Sequence, residues 1–270
     1  MPEKIRPFLK WAGNKYRIIE KIRRKLPEGD RLIEPFAGSA AVFLNTDYRR
    51  YLLTDTNSDL INLYKILQGE GQEFIDYARS FFTEHNNDHD EYYVLRQQFN
   101  ETTDVVLKSA LFIYMNRHGY NGLCRYNSKG LFNVPFGRYK KPYFPEYEMQ
   151  YFHKKSRKAV FKMQEFVRTM QSARTGDVVY CDPPYAPLSR TANFTAYATN
   201  PFGQKEQEML AATAKELAAK NIKVLISNHH TPVTTRMYQM ADITRFEVQR
   251  FISCNGRKRT RASELLALYA

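Results

Sequence analysis

Cysteine is scarce in this 270-residue chain, and Cys124, Cys181 and Cys254 form no C-x-x-C pair and cannot all be bridged to one another. That excludes a disulfide scaffold and predicts reduced thiols in a cytosolic protein. No apolar run approaches the roughly 20 residues of a membrane-spanning helix, and the opening MPEKIRPFLK has no signal-peptide core. A soluble, cytoplasmic protein with no membrane partner is expected. Internal repeats and low-complexity tracts are absent, which removes solenoids and linker-like chains. The histidines of EHNNDHD (84–90) and NHH (228–230) lack a second matched ligand pair, so solvated loops are expected there and no metal site.

Acidic residues are also in short supply, 28 against 41 Lys and Arg, for a formal charge of +13. Such an excess favours a polyanionic partner, although a basic but idle surface has the same composition. The excess is unevenly placed. Residues 121–175 hold twelve Lys or Arg and three Glu, and so carry nine of the thirteen net charges. Aromatics interleave there, as in FGRYKKPYF (136–144), which suits phosphate contacts beside base stacking. A second basic run, NGRKRTR (255–261), lacks aromatics and fits either a solvated loop or a clamp on a phosphate backbone.

What is present is a full globular composition, 43% hydrophobic and 14% aromatic, which excludes disorder. Residues 15–26, KYRIIEKIRRKL, have helical spacing and stop before Pro27. RLIEPF (31–36) reads as a strand, GSAAVFLN (38–45) as a helix opened by a glycine turn, and RYLLTD (50–55) as a second strand. Strand, glycine turn, helix and a strand ending in Asp make the layout of a nucleotide-binding βαβ unit. After a helix at 57–69 the pattern changes. Helical segments from 70 lead into the irregular NRHGYNGLCRYNSKGLFNVPFGRYKKPYFP (116–145), which reads as an inserted domain presenting side chains from loops. The α/β rhythm returns with DVVYCD (177–182), an amphipathic helix over 204–220 and the strand KVLISN (223–228), then strand-like FEVQRFIS (246–253) and LLALYA (265–270).

Two motifs point to a ligand. In EPFAGSA (34–40), Gly38 turns the backbone tightly at a strand end, and Asp55 ends the next strand where a carboxylate can grip ribose hydroxyls. The pattern fits a cofactor loop and a purely structural turn about equally. In FLKWAGNK (8–15) the single tryptophan, Trp11, can cover an adenine or a sulfonium with its face, and Lys15 can pair with a carboxylate. A core tryptophan near a chain end fits as well.

VVYCDPPY (178–185) carries the chemistry. It runs as a buried strand and stops at an acidic residue followed by two prolines and a tyrosine. The end of a parallel strand faces the crevice of a doubly wound sheet, and proline donates no hydrogen bond. Asp182 and the Pro183 carbonyl therefore make a corner of acceptors, suited to an exocyclic amino group that gives up two N–H bonds. Such a nitrogen is a poor nucleophile because its lone pair is delocalised into the ring. Two accepted hydrogen bonds favour a tetrahedral nitrogen and stabilise the positive charge that develops as it attacks a methyl donor. Tyr185 offers a face on which a base can stack. Cys181 points to the opposite face by strand alternation and is no nucleophile.

With these residues in view, the sequence resembles the Dam-type DNA adenine-N6 methyltransferases almost end to end. The resemblance rests on FLKWAGNK, EPFAG with TDTNSDL, the block at 116–145, VVYCDPPYAPLS, TANFTAY (191–197) and LISNH. DPPY alone is shared by several amino methyltransferases; the 116–145 block is far more specific. The resemblance implies an α/β, Rossmann-like S-adenosylmethionine-dependent methyltransferase domain built on a mixed sheet (1–57 and 146–270), with an inserted helical, loop-rich target-recognition domain (58–145). It implies methylation of adenine in double-stranded DNA containing GATC, the base being flipped out of the duplex. S-adenosylmethionine is the implied methyl donor, with no metal, and because GATC is palindromic a monomer at the nucleoid suffices.

Carried over position by position, Trp11, Lys15, Phe36, Gly38, Asp55 and Asp182 fall where the family binds the methyl donor. Asp182, Pro183 and Tyr185 fall on its catalytic motif. Lys10, Tyr120, Asn121, Leu123, Arg125, Pro135 and Tyr139 align with positions that contact GATC or wedge into its stack. For Arg125 and Lys10, base reading and simple phosphate contact are both open. Asn14 and Ala40 stand where glycines are usual in the family, departures that bear on donor binding. Another DNA or RNA target, a protein-glutamine substrate, and a DNA-binding protein acting by occupancy are the competing readings. The intact donor and DPPY residues weigh against the last.

Overall fold

The computed structural model describes residues 4–185, 202–249 and 261–270. TANFTAY, Cys254 and the basic run at 255–260 lie outside the described residues. Seven strands form one sheet: β1 (Arg31–Glu34), β2 (Arg50–Asp55), β3 (Ala159–Met163), β4 (Asp177–Cys181), β5 (Lys223–His229), β6 (Asp242–Gln249) and β7 (Arg261–Tyr269). Their order is β3-β2-β1-β4-β5-β7-β6. β1 to β5 pair in parallel, and β7 runs antiparallel to both β5 and β6. This is the mixed, Rossmann-like methyltransferase sheet that the resemblance implies.

A parallel sheet is covered on both faces, so its central strands are apolar throughout. β4 is buried at all five positions. Alternation sends successive side chains to opposite sides. Leu32, Tyr51, Leu53, Val178, Tyr180 and Leu225 enter one core. Ile33, Leu52, Val179, Cys181, Val224 and Ile226 enter the other. Burying such side chains contributes about 1.5–3 kcal/mol each.

The first core also takes side chains from α1 (Ile19–Lys25), α2 (Ala41–Leu44), α3 (Ser58–Glu70), α4 (Gln72–Arg79), α5 (His89–Glu101), α6 (Val105–His118) and α7 (Glu146–Ser156). The second is closed by α8 (Phe166–Gln171) and α9 (Gln204–Ala218), with Tyr238 following α10 (Pro232–Met237). Asp88 and Asp104 cap α5 and α6, each accepting two backbone N–H groups that helix starts leave unpaired. α6 is buried at every position from Ser109 to His118, the mark of a central helix. α3 packs on α6 and on β2 and β3, so the core runs without a break from the sheet into the inserted helices.

Several local results differ from the sequence reading, α7, α8 and the start of β6 at Asp242 among them, and three more bear on the sheet and the site. The strand β3 was not anticipated: it is an edge strand with three of five residues exposed, and Lys162 interrupts its apolar pattern. Neither was α10, whose β-branched PVTTRM helix is held by Thr231, which accepts from Thr234 N–H at 3.1 Å. The expectation that NHH is a solvated loop fails at His229, which ends β5, is buried, and meets the Tyr185 ring edge-on at 4.7 Å. Pairing with β7 carried β5 one residue past the apolar run.

Candidate active site

The chain winds outward from β1 to β2 and β3, and in the other direction from β4 to β5, so the switch point lies between β1 and β4. Ligands of doubly wound sheets bind outside the carboxyl ends of the strands at that point. A cavity of about 690 Å³ lies there, lined by Trp11, Lys15, Phe36, Gly38, Asp55, Asp182, Pro183 and Tyr185, the full set of anticipated donor-site and catalytic residues. Its size falls within the roughly 300–1,000 Å³ of small-molecule sites.

The loop after β1 is held from three directions. Gly38 has φ +45°, and a Cβ there would fall 2.9 Å from Trp11 Nε1, so glycine is what lets the indole approach. The Gly38 N–H donates to Asp55 Oδ2 at 3.1 Å, and Tyr64 of α3 donates its hydroxyl to the Gly38 carbonyl. The Asn57 N–H donates to Asp55 Oδ1 at 3.0 Å. Burial raises the Asp55 pKa, against the backbone N–H groups that favour its ionised form. Ala40 is left-handed at φ 57° and fully buried in the first core, and it is not among the residues that line the cavity. Asn14 has a structural use: its side chain accepts from Tyr16 N–H at 2.8 Å and caps the turn Lys15–Ile18. Phe36 stacks on Phe166 at 5.4 Å between ring centres, with Phe202 edge-on at 5.5 Å, giving the cavity an aromatic wall.

At the end of β4, Asp182 Oδ1 lies 2.7 Å from Lys15 Nζ. Asp182 is 21% exposed. Its carboxyl nevertheless has protein around it, as a group on a cavity wall does. Burial raises its pKa and Lys15 opposes the rise. Lys15 Nζ also sits 4.5 Å from the centre of the Tyr185 ring. Tyr185 donates its hydroxyl to Glu264 at 3.3 Å. The turn is pinned from behind: Gln207 Nε2 donates to the Pro184 carbonyl at 2.8 Å, and Asn228 Nδ2 donates to Gln207 Oε1 at 2.9 Å. Cys181 faces the second core, with Sγ 3.9 Å from Met170 Sδ and its thiol pKa pushed up by burial.

Glu34 of the EPFAG motif has no role that the sequence pattern assigns. It is buried at the end of β1 and lines the cavity. Burial, reinforced by Asp182, raises its pKa to about 8. Asn57, Cys124 and Tyr126 also line the cavity without having been anticipated. Tyr126 donates to Asp59 at 2.7 Å. Only folding brings the 123–126 loop to the end of β2. Among the described residues no group of three or more His, Cys, Asp or Glu could hold a metal ion.

The residues anticipated at DNA divide. Lys10, Tyr120, Asn121, Pro135 and Tyr139 gather on one side of the inserted loops. Lys10 Nζ lies 4.4 Å from the centre of the Tyr139 ring, the Asn121 N–H donates to the Tyr139 hydroxyl at 3.0 Å, and the Tyr120 N–H donates to the Pro135 carbonyl at 2.8 Å. The Tyr120 ring is 52% exposed. Arg125 is held on its own loop, donating from Nε to Asn133 Oδ1 at 2.7 Å and from Nη2 to the Asn133 carbonyl at 3.1 Å. Leu123 stands between the two groups and lines the cavity itself.

Fold and site together define a class: a doubly wound α/β enzyme with a small-molecule cavity at the switch point, an acidic Pro-Pro-Tyr turn on its wall, and a basic aromatic insert beside it. Comparison with known proteins makes the class specific. The profile of the D12 class N6 adenine-specific DNA methyltransferases matches residues 11–252, and the chain belongs to that family. A DNA adenine methylase of Serratia marcescens is 54% identical over 268 residues, 99% of each chain. One of Escherichia coli (strain K12) is 52% identical over 99% of this chain and 96% of its own. One of Vibrio cholerae is 51% identical over 99% and 97%. The protein is thus an adenine-specific DNA methyltransferase, its substrate is DNA, and no helix among the described residues is long and apolar enough to cross a membrane.

Proposed function

We propose that the protein transfers a methyl group from S-adenosylmethionine to N6 of adenine within GATC, the target base being flipped out of the duplex into the cavity against Tyr185. The observation that carries this reading is the meeting of Asp55, Trp11 and Asp182 around one cavity at the β1/β4 switch point.

The residues present fit the donor. Asp55 accepts one hydrogen bond on each oxygen and keeps further lone pairs for ribose hydroxyls. Trp11 and Phe36 supply apolar faces for a purine and a sulfonium, and Lys15 supplies a cation for a carboxylate. When bound, the donor would supply an electrophilic methyl carbon, whose bond to sulfur breaks as the bond to N6 forms, with S-adenosylhomocysteine as leaving group and one N6 proton released. On the protein side, Asp182 and the Pro183 carbonyl accept the two N–H bonds of the adenine amino group and direct its lone pair at that carbon. As positive charge develops on nitrogen, the Asp182 carboxylate stabilises it. Tyr185 stacks on the flipped base, and the Gln207–Asn228 bonds behind Pro184 keep the acceptors fixed. Residues 58–145 serve as the target-recognition domain on a methyltransferase domain made of 1–57 and 146–270. Arg125 within it and Lys10 from the N-terminal segment donate to guanine, Leu123 and Pro135 meet the thymine methyl, and Tyr120, Asn121 and Tyr139 occupy the stack opened by flipping. A monomer treats the two strands of the palindrome in turn.

Labelled methyl transfer to two matched duplexes, one with GATC and one with that site scrambled, tests the reading. Label on the GATC duplex alone is expected. Label on both overturns the specificity, and label on neither with duplex binding intact overturns the donor assignment.

A further inference from the structure

Asn116, two residues before the end of α6, does not line the cavity and is only 2% exposed. Its amide is nevertheless bonded to the backbones of Lys10 and Gly122, whose chain neighbours Trp11 and Leu123 line the cavity. Oδ1 accepts from the Lys10 N–H at 2.8 Å, and Nδ2 donates to the Lys10 carbonyl at 2.8 Å and to the Gly122 carbonyl at 3.1 Å. One side chain thus holds both backbone groups of Lys10, as a neighbouring strand would, and ties them to the loop that carries Asn121 and Leu123.

The packing leaves little slack. Gly122 has φ +63°, and a Cβ on it would fall 2.5 Å from Lys10 Cβ, so the recognition loop lies directly on the lysine stem. The far end of that stem is set over the Tyr139 ring, whose hydroxyl is bonded to Asn121. Arg117, next along α6, donates to the Phe8 carbonyl and places a second positive charge near Lys10. Lys10 is therefore half-buried with a second cation nearby, a setting in which an acceptor-rich partner such as the O6/N7 edge of guanine is favoured. Trp11, the next residue, closes on Gly38 of the donor loop. The segment 8–11 is a shared wall, with Lys10 toward the recognition loop and Trp11 toward the donor cavity.

From this geometry we infer that Asn116 is a positioning residue for sequence discrimination: it acts through Lys10, holding it where one base pair of the target is read. The inference rests on the proposed reading that Lys10 faces DNA. A long lysine stem tolerates loss of alignment when it meets a phosphate, because the backbone charge is continuous. It does not when it must reach one base edge. Loosening Lys10 therefore costs discrimination more than affinity.

The test uses the full-length protein on a pool of duplexes with randomised sites, sequencing the methylated products, for wild type, Asn116→Asp and Gly122→Ala. Asn116→Asp keeps the acceptor and loses both donated bonds; Gly122→Ala displaces Lys10 from the opposite side. Both are expected to broaden the preference at one position of the wild-type site by about ten-fold or more, with the remaining positions unchanged, and kcat on the preferred site should fall far less. Thermal melting run in parallel separates stability from positioning. Folded variants that keep the wild-type site profile, or whose activity falls equally on all sequences, overturn the inference. A wild-type site other than GATC overturns the proposed specificity, while a one-position broadening of that other site still supports the role of Asn116. A wild type that marks all sites alike overturns both.

Discussion

Lys15 and Asp182 form an ion pair across the cavity, 2.7 Å apart, with the lysine ammonium also facing the Tyr185 ring. The ammonium stands where the proposed mechanism puts the adenine amino group, so the carboxylate is already organised around a nitrogen bearing positive charge. Entry of the base must displace Lys15 from Asp182 or share the carboxylate with it, each of its two oxygens having lone pairs enough for both.

Asp182→Ala should therefore reduce methyl transfer by at least about 100-fold, the scale of losing one preorganised electrostatic partner of a transition state. Duplex binding should be largely spared, since the anticipated DNA contacts lie on the inserted loops. Turnover and gel-shift titration of the same preparation decide it, and full turnover in the variant would end the proposed role.

The acid limb of activity follows from the direction of the Asp182 shift. Its pKa is raised by burial and restrained by Lys15. The working form is the carboxylate, so activity is lost as pH falls through a midpoint above the ordinary aspartate value. Lys15→Met removes the restraint and should move that midpoint further up. Profiles of kcat/KM from about pH 5 to 9 would show it. An unmoved acid limb would mean that the limb reports another group.

Glu34 gives a stability prediction of defined sign. Its pKa rises from the ordinary 4.5 to about 8 in the fold, with Asp182 adding to the burial effect and Lys155 opposing it. A raised carboxyl contributes stability fully present below about 4.5 and lost as pH rises through about 8. Glu34→Gln should flatten that decline and leave the variant the more stable of the two at alkaline pH. Denaturant midpoints measured across this window would settle the point, and parallel curves for the two proteins would contradict it.

Gly38→Ala tests the donor loop. The new Cβ would press on Trp11 Nε1 from 2.9 Å at a backbone φ of +45°, so the indole must shift. Affinity for S-adenosylhomocysteine should drop about ten-fold or more while the fold survives. Trp11 is the only tryptophan, so its fluorescence reports the titration directly. Unchanged affinity would remove Trp11 from the donor site.

Arg125→Ala should relax discrimination at one guanine by about 1–3 kcal/mol, the value of a bidentate base contact. Asn133 takes the hydrogen of Nε and one of Nη2, leaving the second Nη2 hydrogen and both of Nη1 for a two-bond contact with a guanine edge. Competition with single-base variants of the duplex measures it. An equal loss on every sequence would make Arg125 a phosphate contact.

The sequence by itself determined the strands that end in Asp55 and Asp182, because buried parallel strands are apolar runs and a carboxylate or Pro-Pro at their end breaks the pattern. It also determined the basic aromatic insert, since charge and aromatics survive in composition whatever the fold. The strand β3 and the helix α10 were not legible, the one half-exposed with Lys162 in its pattern, the other short and β-branched, so each depends on its neighbours for stability. Tertiary structure alone decided that Lys15 faces Asp182, that Leu123 and Tyr126 wall the cavity beside Asn57, and that Asn116 grips Lys10 across 106 residues of chain. Local pattern records which face of an element is apolar. Which elements then meet is set by how those faces pack against one another, and no spacing within the sequence contains it.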